Sequence, residues 1–355
     1  MLELSLWMYC LSKWRGFSFP ATSLHRLAAA TRWLFSMTNP SSGLAPNLGS
    51  NDGAHFLPLS ICSHSDMRPT LQAASRAFLN GSCLPSGPWD ELSTWIGLSD
   101  PLVPIRPASS QAINRIGTPD LYAYLRTVRF NSRPNHADQL QVDFWLHGNP
   151  MTLDAGSYRY TAPSPWNNSL AGTLCHNTLS VDNQDQMVRA GKFLWLNWAQ
   201  STTLPASSPD LISAETDAYA NKGITHRRTL QMKTSSHWIV RDEIIPTHSV
   251  QTSHSYTVHW LLPDVPWTQN ENQLHFFFGQ SDVFLSFSSS SPCPSNTQII
   301  CGSQLLSGSG EFPSFLGWHS PTYNTKLPAL SIRFIVNCFP PAHLQSEWVV
   351  SPTIE

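Results

Sequence analysis

The chain is 355 residues long, enough for one large domain or two ordinary ones with full cores. Charged residues make up 12% of it and the formal net charge is -2, about half the charge density of an average globular protein at ~25%. This balance leaves no basic footprint for nucleic acid or anionic lipid, and no run of about 18 apolar residues predicts a membrane span.

The N-terminal stretch "MLELSLWMYCLSKWRG" carries Glu3 early and has no basic flank before its apolar run, so it makes a poor signal peptide. Ser23 is placed to cap a helix with Leu24, Leu27, Thr31, Leu34 and Met37 on one face, ended by Asn39-Pro40 and Gly43. Asp66 precedes a second helix with Pro69 in its first turn and Leu71, Ala74 and Phe78 on its apolar stripe. Asp90 is expected to cap a short third helix through Trp95. Three such stripes need covering, and few partners exist within so short a segment, so it reads as part of something larger.

From about Leu121 the periodicity changes to two. "LYAYLRTVRF", "LQVDFWLHG", "MTLDAGSY", "HNTLSVD", "THRRTLQMK", "HWIVRDEI", "YTVHWLL", "LHFFFG", "VFLSFS" and "LSIRFIV" follow one another, separated by Gly, Pro, Asn, Asp and Ser. Many short strands at this spacing predict a large antiparallel sandwich over 113–355, after a helical segment over 1–112. The polar stretch from Ser286 to Gln298 reads as a surface loop. Fourteen Trp fit the aromatic load of a large sheet core, with sugar stacking as the functional alternative. Cys10, Cys62, Cys83, Cys175, Cys293, Cys301 and Cys338 are odd in number, widely spread and without a CxxC pair, which argues against a disulfide framework or a cysteine zinc site.

One stretch asks for more than a sheet. In "NHADQLQVDFWLHGNPMTLDAGSY" (Asn135 to Tyr158), Leu140, Val142, Phe144 and Leu146 alternate with polar residues as in a half-buried strand, yet His136, Asp138, Asp143 and Asp154 surround it. His136, Asp138, Asp154, His176 and Asn177 carry the best case for chemistry. Two imidazoles and a carboxylate suit a borderline cation such as zinc; a buried His bonded to Asp is the plain alternative. If the turn centres on Gly148-Asn149, Met151 to Tyr158 return as a strand and Asp154 pairs roughly with Asp143. His136 then lies about 23 Å further along at the strand rise, so a shared site requires the chain before Leu140 to leave the strand and fold back.

"HADQLQVDFWLHGNPMTLDAGSY" followed by "HNTLSVD" resembles the heparinase II/III-like polysaccharide lyases, and "PNLGSNDGAHFLPL" and "HWLLPD" fit the same family. The resemblance implies an α+β multidomain fold, partial α/α toroid helices followed by the β-sandwich, and a periplasmic or cell-envelope location. It implies β-elimination on a uronic-acid polysaccharide, heparan sulfate-like or alginate-like, with Tyr and His moving protons and the Tyr drawn from the toroid. It further implies a structural metal, Zn²⁺, held by His136, Asp154 and His176. Tyr122, Tyr124 and Tyr158 are the candidate catalytic phenols in this chain, and Arg126, Arg133 and Asn177 the candidate substrate contacts. Arg129, Arg159 and Arg189 also flank the site, since guanidinium pairs with carboxylate or sulfate; Tyr160 follows Tyr158 closely.

Two departures from the family pattern stand out. Where these lyases often carry a catalytic His, two residues before His136, this chain has Pro134. About 100 helical residues are too few for a complete toroid, so the chain is expected to begin inside the fold. The competing reading is a non-catalytic, glycan-binding or structural sandwich; a glycoside hydrolase would need paired acids, for which Asp138 and Asp143 are the candidates. The oligomeric state and the particular polysaccharide are not legible.

Overall fold

The computed structural model describes residues 1–98, 103–106, 114–248, 252–271, 273–290 and 293–352. The chain divides into two compact units: Met1–Pro46 with Gly53–Ile113, and Asn47–Asp52 with Asn114–Glu355. The expected boundary at 112/113 lies outside the described residues, and the excursion 47–52, placed by sequence in the helical segment, belongs to the second unit.

The first unit holds α-helices Leu2–Trp14, Ala21–Met37, Arg68–Phe78 and Glu91–Trp95 among its described residues. The first of these is not signalled by a cap in the sequence. The second starts before the expected cap Ser23, at Pro20, whose carbonyl accepts the Ser23 and Leu24 amides. Asp66 does head the third, its Oδ1 accepting the Arg68 amide at 2.9 Å. Asp90 ties elements together rather than capping the last helix: it accepts from Gly87 N (3.0 Å), Gln72 Nε2 (2.9 Å) and Arg76 Nη2 (2.5 Å). Leu6, Leu57, Ala73, Ala74 and Leu92 form the main core of this unit. These four helices do not constitute a toroid.

The second unit is antiparallel throughout its named strands. A small sheet runs Asn114–Gly117, Leu121–Leu125, Val142–Leu146, Asn149–Pro150. An eight-stranded sheet is ordered Trp267–Asn270, Gln273–Phe278, Ser281–Ser289, Ala342–Pro352, His237–Pro246, Ile224–Thr234, Leu211–Thr216, Ser201–Leu204. A six-stranded sheet is ordered Gln304–Ser307, Ser295–Cys301, Thr325–Cys338, His254–Pro263, Leu179–Val181, with Trp318–Thr322 paired to Thr325–Cys338. Val188–Gly191 and Leu194–Leu196 make a separate hairpin. One apolar core joins the three larger sheets. At its centre Phe144 meets Trp238 at 5.5 Å, Trp348 at 5.4 Å and Trp260 at 6.0 Å between ring centroids, drawing one ring from the small sheet and three from the two large ones. These tryptophans are core, as the plain composition argument has it.

The structure departs from three sequence expectations here. "LYAYLRTVRF" is strand only over Leu121–Leu125. The supposed loop Ser286 to Gln298 is mostly strand, since Ser281–Ser289 and Ser295–Cys301 consume its ends; Ser291 and Pro292 lie outside the described residues. Met151 to Tyr158 is not a returning strand. The turn is His147-Gly148, with φ of 48° and 76°, so Leu146 pairs with Asn149 and Trp145 with Pro150. Both φ are positive, as a tight two-residue hairpin turn requires. Beyond Pro150 the Met151 and Thr152 amides both donate to Phe144 O, and the Leu153 amide then donates to Leu261 O at 2.7 Å. The chain thereby leaves the small sheet for the six-stranded one, and carries Asp154 with it.

Candidate metal centre

Three irregular segments supply the site. Before Val142 the chain folds back through a turn in which Leu140 adopts φ 60° and the Gln141 amide donates to Asp138 O at 3.2 Å. This is the departure from the strand that a shared site demands. The Asp154 segment is fixed by Gly156, φ 77°, where a Cβ would collide with Ser320 O. His176 follows a 3-10 turn, Thr173–Cys175, and its carbonyl accepts from His259 Nδ1 at 3.0 Å.

The result is a cluster of His136, Asp138, Asp154 and His176, all buried, with one ligand atom from each lying within 4.8 Å of the others. Asp138 is thus added to the three residues the resemblance implies. His176 Nδ1 sits 3.3 Å from Asp154 Oδ2, and Arg126 Nε sits 3.0 Å from Asp138 Oδ1. Asp154 is held hardest: Oδ1 accepts from Asn47 Nδ2 (2.7 Å) and the Gly156 amide (2.8 Å), and Oδ2 from Gln141 Nε2 (3.0 Å).

Electrostatics separate the members. Burial, then the neighbouring His176, pulls His136 down to about 4, so its imidazole is neutral at pH 7. Burial would lower His176 as well, but the Asp154 carboxylate outweighs it and the net shift is upward. Asp154 is driven well below the usual carboxylate range by His176 and His136 despite its burial. Asp143, 3.0 Å from the same Gln141 amide nitrogen, is pushed up to about 7 by burial and by the Asp154 charge.

The group fits a cation on one observation above all. Both ring nitrogens of His136 and Nε2 of His176 are buried with no hydrogen-bond partner among the described residues. Imidazole nitrogens left unpaired in a buried site cost free energy, and a cation would answer one lone pair on each ring. Two imidazoles and two carboxylates would close a tetrahedral shell, whose ligand atoms stand about 3.4 Å apart at zinc bond lengths. The cluster could hold a metal ion.

The other candidates divide. Tyr122 and Tyr124 are 2% and 5% exposed, packed with Trp145 at 5.8 and 6.3 Å under the Arg115 guanidinium, and burial pushes Tyr124 up to about 12. Neither side chain is open to solvent. Asn177 is fully buried and bridges two segments, with Oδ1 accepting the Leu261 amide at 2.7 Å and Nδ2 donating to Leu153 O at 3.0 Å. Arg126 is engaged with Asp138, whereas Arg133 is exposed. Tyr158 is half-buried, edge-on to Trp166 at 5.4 Å. Asp143 is buried beside Asn177 and Gln141.

Sequence reasoning gave no role to Asn47, Gln141 or Arg228. Arg228 lies beneath the site, donating through Nη1 to Leu140 O (2.9 Å) and Asn177 O (2.6 Å). A signal was available, because the alternation of "ITHRRTLQ" puts His226 and Arg228 on the same inward face as Ile224 and Leu230.

The family described as "Heparinase II/III-like, C-terminal" matches residues 120–338, and the chain belongs to it. No curated protein matches the sequence. Among solved structures, a heparinase III gene product superposes with a TM-score of 0.69 at 15% identity, covering 99% of this chain and 51% of that one. A mutant of heparan sulfate lyase HepC from Pedobacter heparinus gives a TM-score of 0.67 at 15% identity over 98% of this chain and 50% of that one. Another heparinase III gives 0.64 at 14%, over 94% and 49%. At these identities the likeness speaks for the fold, and the chain spans about half the length of the structures it matches.

Proposed function

We propose that this chain is the sandwich-bearing part of a polysaccharide lyase acting on a uronic-acid glycan, with Zn²⁺ bound by His136, Asp138, Asp154 and His176. The observation that carries the reading is the buried cluster with unpaired imidazole nitrogens inside a heparinase-like sandwich. The ion's role is structural: when bound it neutralises the two carboxylates and locks three otherwise irregular segments. The helices before residue 113 are a remnant of the toroid on this reading, and the location is the periplasm or cell envelope.

The chemistry to be supported is β-elimination. A base removes the C5 proton, the electron pair forms the C4=C5 double bond, the C4–O bond breaks, and the leaving glycosidic oxygen takes up a proton. The proton lies α to a carboxylate and is only weakly acidic, so the acid group must be neutralised by fixed donors or cations while the base stands within hydrogen-bond reach. Of the three candidate tyrosines, Tyr158 alone is not fully buried and is the phenol assigned here. Arg133 is the accessible substrate contact of the original three candidates.

Pro134 supports the rival, a glycan-binding sandwich without turnover, because proline cannot move a proton. The test is ultraviolet absorbance of the unsaturated product from heparan sulfate, alginate and chondroitin. The expected outcome is weak elimination on at least one of them, lowered a further ~10²–10⁴-fold in Tyr158→Phe. Binding of the polymers with no absorbing product even at high enzyme concentration would decide for the rival.

A further inference from the structure

The second unit carries a surface of a different kind, built from aromatic rings and unpaired cations. Phe193 meets Tyr160 edge-on at 5.0 Å, and Tyr160 meets Tyr323 at 5.2 Å, making a row of three rings. Phe193 and Tyr323 are 45% and 38% exposed, far more than packing requires of such side chains. The Tyr160 hydroxyl donates to Asp52 Oδ2 at 3.4 Å, which fixes that ring by its edge.

Arg159, Lys192 and Arg133 border the row, and Lys326 is linked to it through Tyr158 and Arg159. Arg159 Nε donates to Asn324 Oδ1 at 2.5 Å, and Lys192 Nζ donates to Thr161 Oγ1 at 2.9 Å. Arg133 lies over Phe193 at 5.7 Å from its centroid. Lys326 is held in an aromatic cage, its Nζ 3.4 Å from the Trp318 centroid, 3.8 Å from Trp166 and 5.7 Å from Tyr158. Arg159 approaches the same Tyr158 ring at 5.2 Å. Among the described residues none of these four cations has an ion-pair partner, although the chain has 23 acidic residues for its 21 lysines and arginines. An ammonium ringed by aromatic faces keeps its charge but has its N–H donors only partly answered.

Flat apolar faces bordered by cations without ion-pair partners and with donors only partly answered match a sugar ring bearing an acid group. We infer that Tyr160, Phe193 and Tyr323 form a platform for a pyranose of an anionic glycan, and that Arg159 and Lys326 take its carboxylate or sulfate. The inference rests on the acidic-glycan reading above and deepens it, since both cations flank Tyr158. Lys192 and Arg133 serve the neighbouring sugars along the chain.

The test is binding, not turnover. Titration of the full chain with heparan sulfate, alginate and neutral dextran, by calorimetry at two salt concentrations, is compared across variants. The wild type is expected to bind one or both anionic polymers, more weakly at high salt, and not dextran. Arg159→Gln with Lys326→Gln is expected to weaken binding at least ~5-fold and flatten its salt dependence. Should the caged Lys326 prove necessary for folding, Lys192→Gln and Tyr323→Ala, both at exposed positions, carry the test with ~2–5-fold losses. Lys233→Gln, an exposed cation elsewhere, should change nothing. No binding of any anionic polymer, or equal binding by the folded platform variants and the wild type, overturns the inference. Elimination without platform dependence would sink the platform and leave the lyase reading standing; platform-dependent binding without elimination does the reverse.

Discussion

The sandwich buries two clusters built from the same residue types, histidine, aspartate and arginine, and they differ in how far their polar atoms are answered. In one, Arg228 donates to both oxygens of Asp242 at 2.7 and 2.9 Å and to two carbonyls, while His226 Nε2 donates to Asp242 Oδ1 at 2.6 Å, leaving His226 Nδ1 alone unpaired. In the other, both nitrogens of His136 and Nε2 of His176 have no hydrogen-bond partner among the described residues. A closed network rigidifies; an open one in a dry site is expensive unless a ligand completes it. The comparison separates scaffold from site more sharply than residue identity does, and the two are joined, because Arg228 holds the carbonyls of Leu140 and Asn177 that border the open cluster.

The strongest way to break this distinction is to open the closed cluster. Arg228→Met leaves Asp242 buried without its counter-ion, and removing one partner of a buried pair costs about 3–5 kcal/mol. Urea denaturation should show that loss in full. A variant as stable as the wild type would mean that the cluster is not the scaffold its geometry describes. The complementary manipulation is to close the open cluster with metal. At Zn²⁺ 100-fold above its dissociation constant, binding to the folded state alone adds about 2.7 kcal/mol. Chelation should remove that increment from the wild type and change nothing in His176→Ala. Elemental analysis of protein purified without added metal checks the occupant directly, and a metal-free wild type indifferent to zinc would dismiss the centre.

The contrast between these clusters explains what could be read in advance. The alternation around Phe144 and the strands that follow announce the sandwich, because period-two burial is a local property of the chain. The site's histidines and Asp154 were legible as chemistry-bearing residues, and the fold-back before Leu140 as a condition for their meeting. That Asn177 bridges two segments was not legible: an Asn beside His176 reads as a contact until its amide is seen bridging Leu261 and Leu153. Nor was the strand Ala342–Pro352 picked out, although Leu344, Ser346 and Trp348 alternate inward in the middle of the eight-stranded sheet. The burial of Tyr122 and Tyr124 was not legible for a related reason, since sequence gives a strand two faces without saying that both are covered.

Protonation sharpens the comparison at its edge. His259 supports the open cluster from behind, donating to the His176 carbonyl and accepting from the Ser331 hydroxyl, and burial pulls it down to about 3. Its folded value lies below the ordinary 6.5, so its contribution is fully present above pH 6.5 and is lost as pH falls toward 3. Asp143 works the other way, since a carboxyl raised to about 7 favours the folded state as pH falls below 7. Comparing variants isolates the histidine: in His259→Gln, stability should fall with acidification less steeply than in the wild type, by about 1.4 kcal/mol per pH unit between pH 6 and 4. Parallel curves would show that His259 is not the neutral, buried group described.

The smallest expected effect comes from the segment 47–52, which lies within the helical stretch in sequence and groups with the sandwich in space. Asn47 is flanked on both sides by the helical unit, yet 47–52 belongs with the sandwich, and Asn47 Nδ2 donates to Asp154 Oδ1 at 2.7 Å and to Gly49 O at 3.0 Å. Asp154 Oδ1 also receives the Gly156 amide, so removing Asn47 leaves that oxygen bonded and the carboxylate ionised. What is lost is one of the donors that aim the carboxylate at the two imidazoles. Groups in that outer position are worth about 10–100-fold in metal affinity, and with Gly156 and Gln141 still in place the lower end applies. Asn47→Ala should therefore bind zinc about tenfold more weakly in a competition titration with a chromogenic chelator, while the metal-free protein unfolds at nearly the same denaturant concentration. Unchanged affinity would assign the aim of Asp154 to Gly156 and Gln141 alone. A metal-free variant that unfolds early would instead make Asn47 an anchor of the 47–52 segment rather than an organiser of the site.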